Sequence, residues 1–338
     1  MLPSFLARPI DYADNMPTNV PHNFSFSRRE AIRSLALLAA GAAAPRFLFA
    51  QKPAASPAPS PSATPPPVAS RNLADRLSLI TGAGGNIAVL TGDDGTLLID
   101  CGVPAAIMGL IGEVAKVAPT PASIVVNTHW HFDHTGGNEQ LAKNGARIIA
   151  HDNCRKRLAT DQYMEFMDRK VPASPHIALP VATFDREMQL HVNGEDLKLT
   201  AVPPAHTDND IIIQFPNANV LHVGDLYFNG FYPFIDYSSG GWIGGMAAAI
   251  KTASGMVDAK TKIIPGHGPM AMPDDMKFYL TFLETMNDRL GKMKQQGKSV
   301  DEAIAAAPTK DFDEKLGGGF LKPDMFVKCT YTGLLKHG

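Results

Sequence analysis

The sequence predicts an α/β fold in which one domain contains two β-sheets covered by helices. From Leu73 onward, apolar runs of strand length alternate with turn clusters, and helical patterns interrupt this alternation in two places. Each block of predicted strands ends in a short segment that contains histidine or aspartate. Strand blocks interleaved with helices favour sheets packed beneath helices, because neither element can bury its apolar face alone.

The predicted elements follow one another with short connections. Paired apolar runs with Gly, Asp or Asn between them predict three β-hairpins, at residues 86–100, 188–202 and 211–223. Further strands are predicted at residues 124–128 and 147–150. Helical spacing of apolar residues predicts helices at residues 105–117, 139–143, 244–257, 274–294 and 300–307. The helix at 274–294 is expected to cover either a sheet or a dimer partner.

The N-terminal segment differs in character from the rest of the chain. Arg28 and Arg29 precede an apolar run at residues 34–44 that ends in three alanines, and this pattern resembles a twin-arginine export signal. The run is about half the roughly 20 residues that a membrane-spanning helix needs, so no stable membrane anchor is expected. A chance Arg-Arg pair before an Ala-rich helix is the alternative.

This pattern divides the chain into three parts. Residues 1–50 are interpreted as the export signal, residues 51–70, rich in Pro, Ala and Ser, as a linker, and residues 71–338 as the folded domain with its C-terminal helices. The expected location of the protein is therefore the periplasm or the exterior of the cell.

Composition narrows the classes of partner. The 31 basic and 33 acidic side chains give a formal net charge of −2, which provides no global field for nucleic acid or anionic lipid. We therefore expect a small-molecule substrate and no nucleic acid, and homo-oligomerisation stays open. The three cysteines match neither a disulfide framework nor a metal-binding Cys-x-x-Cys pair.

The segment at 128–134, Thr-His-Trp-His-Phe-Asp-His, directly follows a predicted strand and is the most informative in the chain. A metal ion that activates water needs several imidazole nitrogens and a carboxylate oxygen converging at about 2.0–2.2 Å. Strand alternation places His129 and His131 on one side, and the following turn places Asp133 and His134 elsewhere. Two adjacent metal ions are the economical way to use all four side chains.

Four more segments place a histidine or aspartate after a predicted strand, namely those with Asp100, His206, Asp225 and His267. Each is a weak signal alone, because a single histidine at a strand end is more often a hydrogen-bonded structural residue than a ligand. Taken with the first motif, the last three supply the ligand types that would complete two coordination spheres. Asp100 is either a turn residue or part of the same site.

In this order, the His-x-His-x-Asp-His motif and the later His, Asp and His resemble the metallo-β-lactamase superfamily over residues 77–267. The resemblance implies an αββα sandwich of two mixed β-sheets flanked by helices, with the site at one edge. It implies two zinc ions (Zn2+), whose ligands would be His129, His131 and His206 for the first and Asp133, His134 and His267 for the second. Asp225 would bridge the ions, and Asp100 would orient a ligand. His222 is interpreted as structural.

The resemblance also implies the chemistry. A hydroxide bridging the two metal ions would attack the carbonyl of an ester, thioester, lactone or lactam, with Asp133 or a metal-bound water as the proton carrier. The carboxylate of Asp225 stands where zinc β-lactamases have cysteine or serine, so the ligand set is similar to that of glyoxalase II. The enzyme class implied is a zinc-dependent hydrolase of unknown substrate.

Two other functions and two features of the sequence stay open. A mononuclear iron persulfide dioxygenase shares these motifs, and a non-catalytic periplasmic zinc-binding protein would bind metal without turnover. The aromatic stretch at residues 227–237 is either a substrate pocket or ordinary core packing. Residues 163–180, which include Met164, Phe166, Met167 and His176, are a candidate lid over the site.

Overall fold

The computed structural model describes residues 67–337. The predicted export signal and all but the last residues of the predicted linker lie outside this range. The first strand begins at Ala69, two residues before the predicted start of the folded domain. Within residues 67–337, no helix combines the length and the apolar character needed to cross a bilayer.

Fourteen strands and nine α-helices lie in the described part of the chain. The strands are β1 (Ala69–Ala74), β2 (Leu77–Thr81), β3 (Ile87–Gly92), β4 (Gly95–Ile99), β5 (Ala122–Val126), β6 (Arg147–His151), β7 (Gln162–Met164), β8 (Arg169–Val171), β9 (Ala182–Phe184), β10 (Glu187–Val192), β11 (Glu195–Ala201), β12 (Ile211–Phe215), β13 (Val220–His222) and β14 (Lys262–Ile264). The helices are α1 (Ile107–Val117), α2 (Phe132–Thr135), α3 (Asn138–Lys143), α4 (Asp152–Leu158), α5 (Ile243–Ser254), α6 (Pro273–Gln295), α7 (Val300–Ala305), α8 (Asp313–Leu316) and α9 (Pro323–Lys336).

The strands form two mixed sheets and one small hairpin. The seven-stranded sheet has the order β1-β2-β3-β4-β5-β6-β9, with antiparallel neighbours from β1 to β4 and parallel neighbours from β4 to β9. The five-stranded sheet has the order β10-β11-β12-β13-β14, and only its last pair is parallel. Strands β7 and β8 pair with each other alone.

The two sheets face each other across an apolar core, and helices cover their outer faces. On β4, Leu97 and Ile99 lie between the sheets, whereas Leu98 packs on the other face against Leu110 of α1. On β12, the central Ile212 packs outward into the cluster that contains the buried face of α6. Period-two alternation on both sheets therefore produces the αββα sandwich that the sequence predicted.

The apolar face of α6 is covered within the chain, by α5 and α9. The apolar face therefore packs within the same chain, and no dimer partner is needed to cover it. The three predicted hairpins are confirmed, and the helix predicted at 105–117 is α1 preceded by one 3-10 turn. The strands that were not predicted are β1, β2, β7, β8 and β9, and the helices that were not predicted are α2, α4, α8 and α9. Cys101, Cys154 and Cys329 are buried free thiols.

Candidate metal centre

Five strands deliver the candidate site residues from their carboxyl ends. Asp100 follows β4, and the His129 segment follows β5, a parallel neighbour of β4. In the other sheet His206, Asp225 and His267 follow β11, β13 and β14, which all run in the same direction. The seven predicted metal ligands and Asp100 therefore meet at one edge of the sandwich.

The first group of ligand atoms belongs to His129, His131, His206 and Asp225, which are all buried. The Nε2 atom of His206 lies 2.9 Å from Nδ1 of His131. Asp225 Oδ2 lies 3.8 Å from His129 Nε2 and 3.5 Å from His206 Nε2. All the ligand atoms of this group lie within 4.8 Å of one another.

The second group belongs to Asp133, His134 and His267. The Nε2 atoms of the two histidines are 3.3 Å apart, and His267 Nε2 lies 3.2 Å from Asp133 Oδ2. The other oxygen of Asp225, Oδ1, lies 3.1 Å from His134 Nε2 and 3.4 Å from His267 Nε2. Asp225 thus directs one oxygen at each group, which is the placement expected of a bridging carboxylate.

Hydrogen bonds determine which nitrogen of His129 is available to a metal ion. Asp100 accepts from the Thr128 backbone N–H and from its hydroxyl, each at 2.7 Å. Since the Thr128 hydroxyl donates its only proton to Asp100, its oxygen accepts a hydrogen bond from Nδ1–H of His129, 3.1 Å away. Nε2 of His129 therefore carries a lone pair, and this buried atom has no hydrogen-bond partner among the described residues.

The other buried imidazoles are held in the same way. His134 Nδ1 donates to Asp100 Oδ2 at 2.7 Å, and His206 Nδ1 donates to the carbonyl of Phe234 at 2.7 Å. His131 uses Nε2, which lies 3.1 Å from Asp236 Oδ2. The remaining nitrogens of His131 and His206 then face each other at 2.9 Å with a lone pair each. Two such lone pairs repel unless a proton or a metal ion lies between them.

The spacing of the ligand atoms fits a metal ion. Ligands at about 2.1 Å on a tetrahedron lie about 3.4 Å from one another. The individual distances given above run from 2.9 to 3.8 Å and bracket that value. Gly266 makes this approach possible, because a Cβ there would lie 1.9 Å from Asp225 Oδ1. The residues present therefore fit a pair of metal ions bridged by Asp225.

Burial and charge shift the pKa values of the histidines in opposite directions in the two groups. Burial holds the pKa of His129 well below its usual range and lowers the pKa of His206 to about 4. At His267 burial also lowers the pKa, but the carboxylates of Asp225 and Asp133 outweigh it and raise the pKa to about 10. The pKa of His134 is raised well above its usual range, since Asp225 and Asp100 likewise outweigh burial. Without metal, protons on the second group balance the carboxylates.

A cavity of 480 Å³ opens beside the ligands and is lined by His131, Phe132, Asp133, Met164, Met167, Arg169, Asp225, Phe228, Phe231, Tyr232, Phe234, His267, Gly268, Gly319 and Phe320. This volume lies within the usual range for small-molecule sites, about 300–1,000 Å³. Asp133 and His267 are 22% and 24% exposed, so the second group faces the opening.

The aromatic stretch at 227–237 serves both purposes that the sequence left open. Phe228, Phe231 and Phe234 line the cavity, whereas Tyr227 packs in the core against Tyr279. Tyr232 belongs to both, because its buried ring stacks on Phe326 and also borders the cavity. One side of the segment therefore serves the site and the other side serves α6 and α9.

Part of the candidate lid lies at the cavity. Met164 and Met167, on and after β7, line it, whereas His176 does not. His222 is structural as interpreted, since its Nε2 bonds to the Asn86 carbonyl and its Nδ1 accepts from Gly224 N–H. Of the other histidines, His151, His176, His191 and His337 lie outside both ligand groups, and His22 lies outside the described residues.

Asp236 was missed by the sequence analysis. It lies in the aromatic stretch, where only the ring side chains were considered, and it accepts hydrogen bonds from His131, Ser238 and Ser239. Burial raises its pKa, but these hydrogen bonds outweigh burial and hold the pKa below its usual range. An aspartate followed closely by two serines was the available signal, although it does not identify the histidine partner.

Comparison with known proteins identifies relatives of part of the chain. The family model described as "Metallo-beta-lactamase superfamily" matches residues 80–267, which is more than half of the chain. A hydroxyacylglutathione hydrolase of Rhodospirillum rubrum is 25% identical over 205 residues, 59% of this chain and 68% of the relative. The α subunit of the 2,4-dinitroanisole O-demethylase of a Nocardioides species is 26% identical over 111 residues, 32% of this chain and only 30% of the relative.

Solved structures show the same fold at low sequence identity. A metallo-beta-lactamase from Pontibacter korlensis superimposes with a TM-score of 0.52 at 18% identity, over 64% of this chain and 99% of that one. A double mutant of the sec-alkyl sulfatase PisA1 superimposes with a TM-score of 0.60 at 17% identity, over 79% of this chain and 50% of that one. At these identities the likeness supports the fold alone.

Replacing Asp236 by Asn is expected to weaken metal binding about 10- to 100-fold. The variant keeps the shape of the side chain but loses the charged acceptor that holds the ring of His131. Zinc affinity is measured by competition with a chromophoric chelator. The control is Asp196→Asn, which makes the same change in a His191–Asp196 pair about 70% exposed to solvent. Equal zinc affinity of Asp236→Asn and the control would show that the hydrogen bond from His131 to Asp236 does not position the ring for metal binding.

Metal binding to the second group is expected to release protons and to weaken as the pH falls. Because the pKa of His267 is about 10 in the metal-free protein, its proton must leave before a metal ion binds at neutral pH. Affinity should therefore rise with pH until about 10. Calorimetry in buffers of different ionisation enthalpy measures the release. The first group, where burial lowers the pKa of His129 and His206, should release less. Equal affinity across this pH range would contradict the assignment.

Proposed function

The chain belongs to the metallo-beta-lactamase superfamily, and from this premise we propose that it is a hydrolase that uses two zinc ions. One observation carries the proposal: four imidazoles each have one nitrogen held by an oxygen, which leaves the other nitrogen facing the first ligand group in His129, His131 and His206 and the second in His134. The two oxygens of Asp225 face the two groups. This arrangement supports catalysis better than a structural role, because the second group borders an open cavity.

The donor set supports zinc. Imidazole nitrogen and carboxylate oxygen are ligands that zinc accepts in tetrahedral sites, and no cysteine takes part in either group. A pair of such ions would lower the pKa of a shared water towards neutrality and polarise the bond to be cleaved.

The chain's own residues supply positioning and proton transfer. Asp100 and Asp236 hold the rings of His134 and His131. Asp133 is the proton carrier in this proposal, because its carboxylate borders the cavity and lies 3.2 Å from His267 Nε2.

The bond cleaved is proposed to be that of an ester, thioester, lactone or lactam. The carboxylate at Asp225, in place of the cysteine or serine of zinc β-lactamases, favours the glyoxalase-II-like reaction on an ester or thioester. Several relatives are named hydroxyacylglutathione hydrolases, including those of Rhodospirillum rubrum and Nitrosococcus oceani, and they support a thioester-type reaction. A mononuclear iron dioxygenase would leave the second ligand group without a use.

A panel of ester, thioester, lactone and β-lactam substrates, with a persulfide included, tests this function. Metal-loaded protein is expected to contain two zinc ions by elemental analysis and to hydrolyse at least one of the first three classes. Replacing His129 by Ala should abolish hydrolysis and lower metal content, whereas replacing the exposed His191 by Ala should change neither. One iron per chain with persulfide oxidation would replace the proposal, and metal binding without any turnover would indicate a non-catalytic zinc-binding protein.

We further propose that the protein is exported to the periplasm or beyond by the twin-arginine route. The support is the Arg28-Arg29 pair before the apolar run at residues 34–44, which ends in three alanines. Replacing both arginines by Lys should retain the protein in the cytoplasm at full length, as measured by cell fractionation. Unchanged export of this variant would disprove the route.

A further inference from the structure

The cavity beside the ligand groups has two chemically different parts. One end consists of the metal-facing side chains of His131, Asp133, Asp225 and His267. The rest is apolar, with phenylalanines from the stretch that follows Asp225 on one side and Met164 and Met167 on the other. An apolar wall of this size favours substrates with a hydrocarbon or aromatic group rather than a long polar chain.

Arg169 is the exception in this apolar part. It is the single Lys or Arg side chain among the lining residues. Its guanidinium carbon lies 3.6 Å from the centre of the ring of Phe132, which is the residue between His131 and Asp133 in the metal motif. Among residues 67–337 it makes no ion pair within 4 Å. A guanidinium stacked on a ring keeps its edge donors free to bind an anion.

The hairpin that carries Arg169 is tied to the rest of the molecule. Tyr163 on β7 donates to Asp168 at 2.6 Å, which braces the turn before β8. The Glu165 N–H donates to Ser238 at 3.0 Å, and the Glu165 carboxylate pairs with Lys336 of α9. Ser238 in turn donates to Asp236, the residue that holds His131. The position of Arg169 is therefore coupled to the same segment that positions the metal ligands.

We propose that Arg169 is the residue that selects the substrate, and that the substrate is an amphipathic anion. Its carboxylate or equivalent anionic group binds the guanidinium of Arg169, its apolar part packs on the phenylalanine and methionine wall, and the bond to be hydrolysed lies at the metal-facing end. This inference rests on the proposed hydrolase function and adds the class of substrate to it. Among the lining side chains outside the two ligand groups, Arg169 alone offers a positive charge to such an anion.

Pairs of esters that differ only in the distal charge measure the preference for an anionic substrate. The 4-nitrophenyl monoesters of glutaric, adipic and suberic acid are compared with the same compounds capped by a methyl ester, which removes only the distal charge. The metal-loaded full chain is expected to prefer the anionic member of at least one pair by about tenfold in kcat/KM. Replacing Arg169 by Met should abolish the preference through KM, with kcat and the neutral esters little changed. Arg169→Lys should retain part of it.

The matched control is Lys170→Met. Lys170 is the next residue of β8, exposed, and absent from the cavity lining, so its replacement removes the same charge from the same hairpin. This variant should keep the preference of the wild type. Loss of activity towards charged and neutral esters alike in Arg169→Met would indicate a structural role for the hairpin, and would overturn the inference.

Binding provides a readout that does not depend on turnover. Calorimetry with 4-phenylbutyrate and with 4-phenylbutanol is carried out on the wild type, Arg169→Met and Lys170→Met, each with and without zinc. The carboxylate is expected to bind about tenfold more weakly to Arg169→Met alone, and the alcohol equally to all three. Arg169-dependent binding without hydrolysis of any ester would refute the proposed function and leave the anion site standing. Hydrolysis without any preference for charge would refute the anion site and leave the function standing.

Discussion

The structure depends on one electrostatic constraint, namely that several buried imidazoles direct lone pairs at the same small volume. The outer nitrogen of each ring is committed to an oxygen: Thr128 for His129, Asp236 for His131, Asp100 for His134 and the Phe234 carbonyl for His206. The inner nitrogens therefore cannot avoid one another by changing tautomer. Only protons or metal ions can occupy that volume at a reasonable free energy, and the carboxylates of Asp225 and Asp133 balance their charge.

The sandwich satisfies this constraint because the carboxyl ends of β4, β5, β11, β13 and β14 bring the segments that carry the ligands to the same edge. Thr128 illustrates the coupling between the sheets: its carbonyl accepts from Ile211 N–H at the start of β12, while its side chain and N–H bind Asp100 after β4. Asn86 connects the loop after β2 to the segment with His267 through the carbonyls of Pro265 and Gly268. The ligands are thus held by hydrogen bonds that cross from one sheet to the other, and because each group takes ligands from both sheets, a small displacement of either sheet would separate the ligands within each group.

The wall of the cavity is formed largely by elements other than those that carry the metal ligands. The ligand atoms come from five strand ends, but the cavity wall comes from the segment after Asp225, the β7-β8 hairpin and the loop before α9. These segments contact one another through Ser238, Glu165 and Lys336, at a distance in sequence from the metal motif. The ligand atoms and most of the cavity wall therefore come from different parts of the chain, and Asp236 connects the two because it lies in the wall segment and holds His131.

Most strands of the two sheets and the candidate metal ligands could be predicted from the sequence by itself. Period-two alternation in β4 and β12, turn residues such as Asn193-Gly194, and histidines directly after apolar strands are local signals, and each is readable within a few residues. Short elements such as β9 and the β7-β8 pair could not be predicted, because three residues carry no measurable period. Only the tertiary structure decided that Asp236 holds His131, 105 positions away, and that Arg169 faces the cavity. Both depend on where separate segments pack against each other, and packing between distant segments leaves no pattern in the local order of residues.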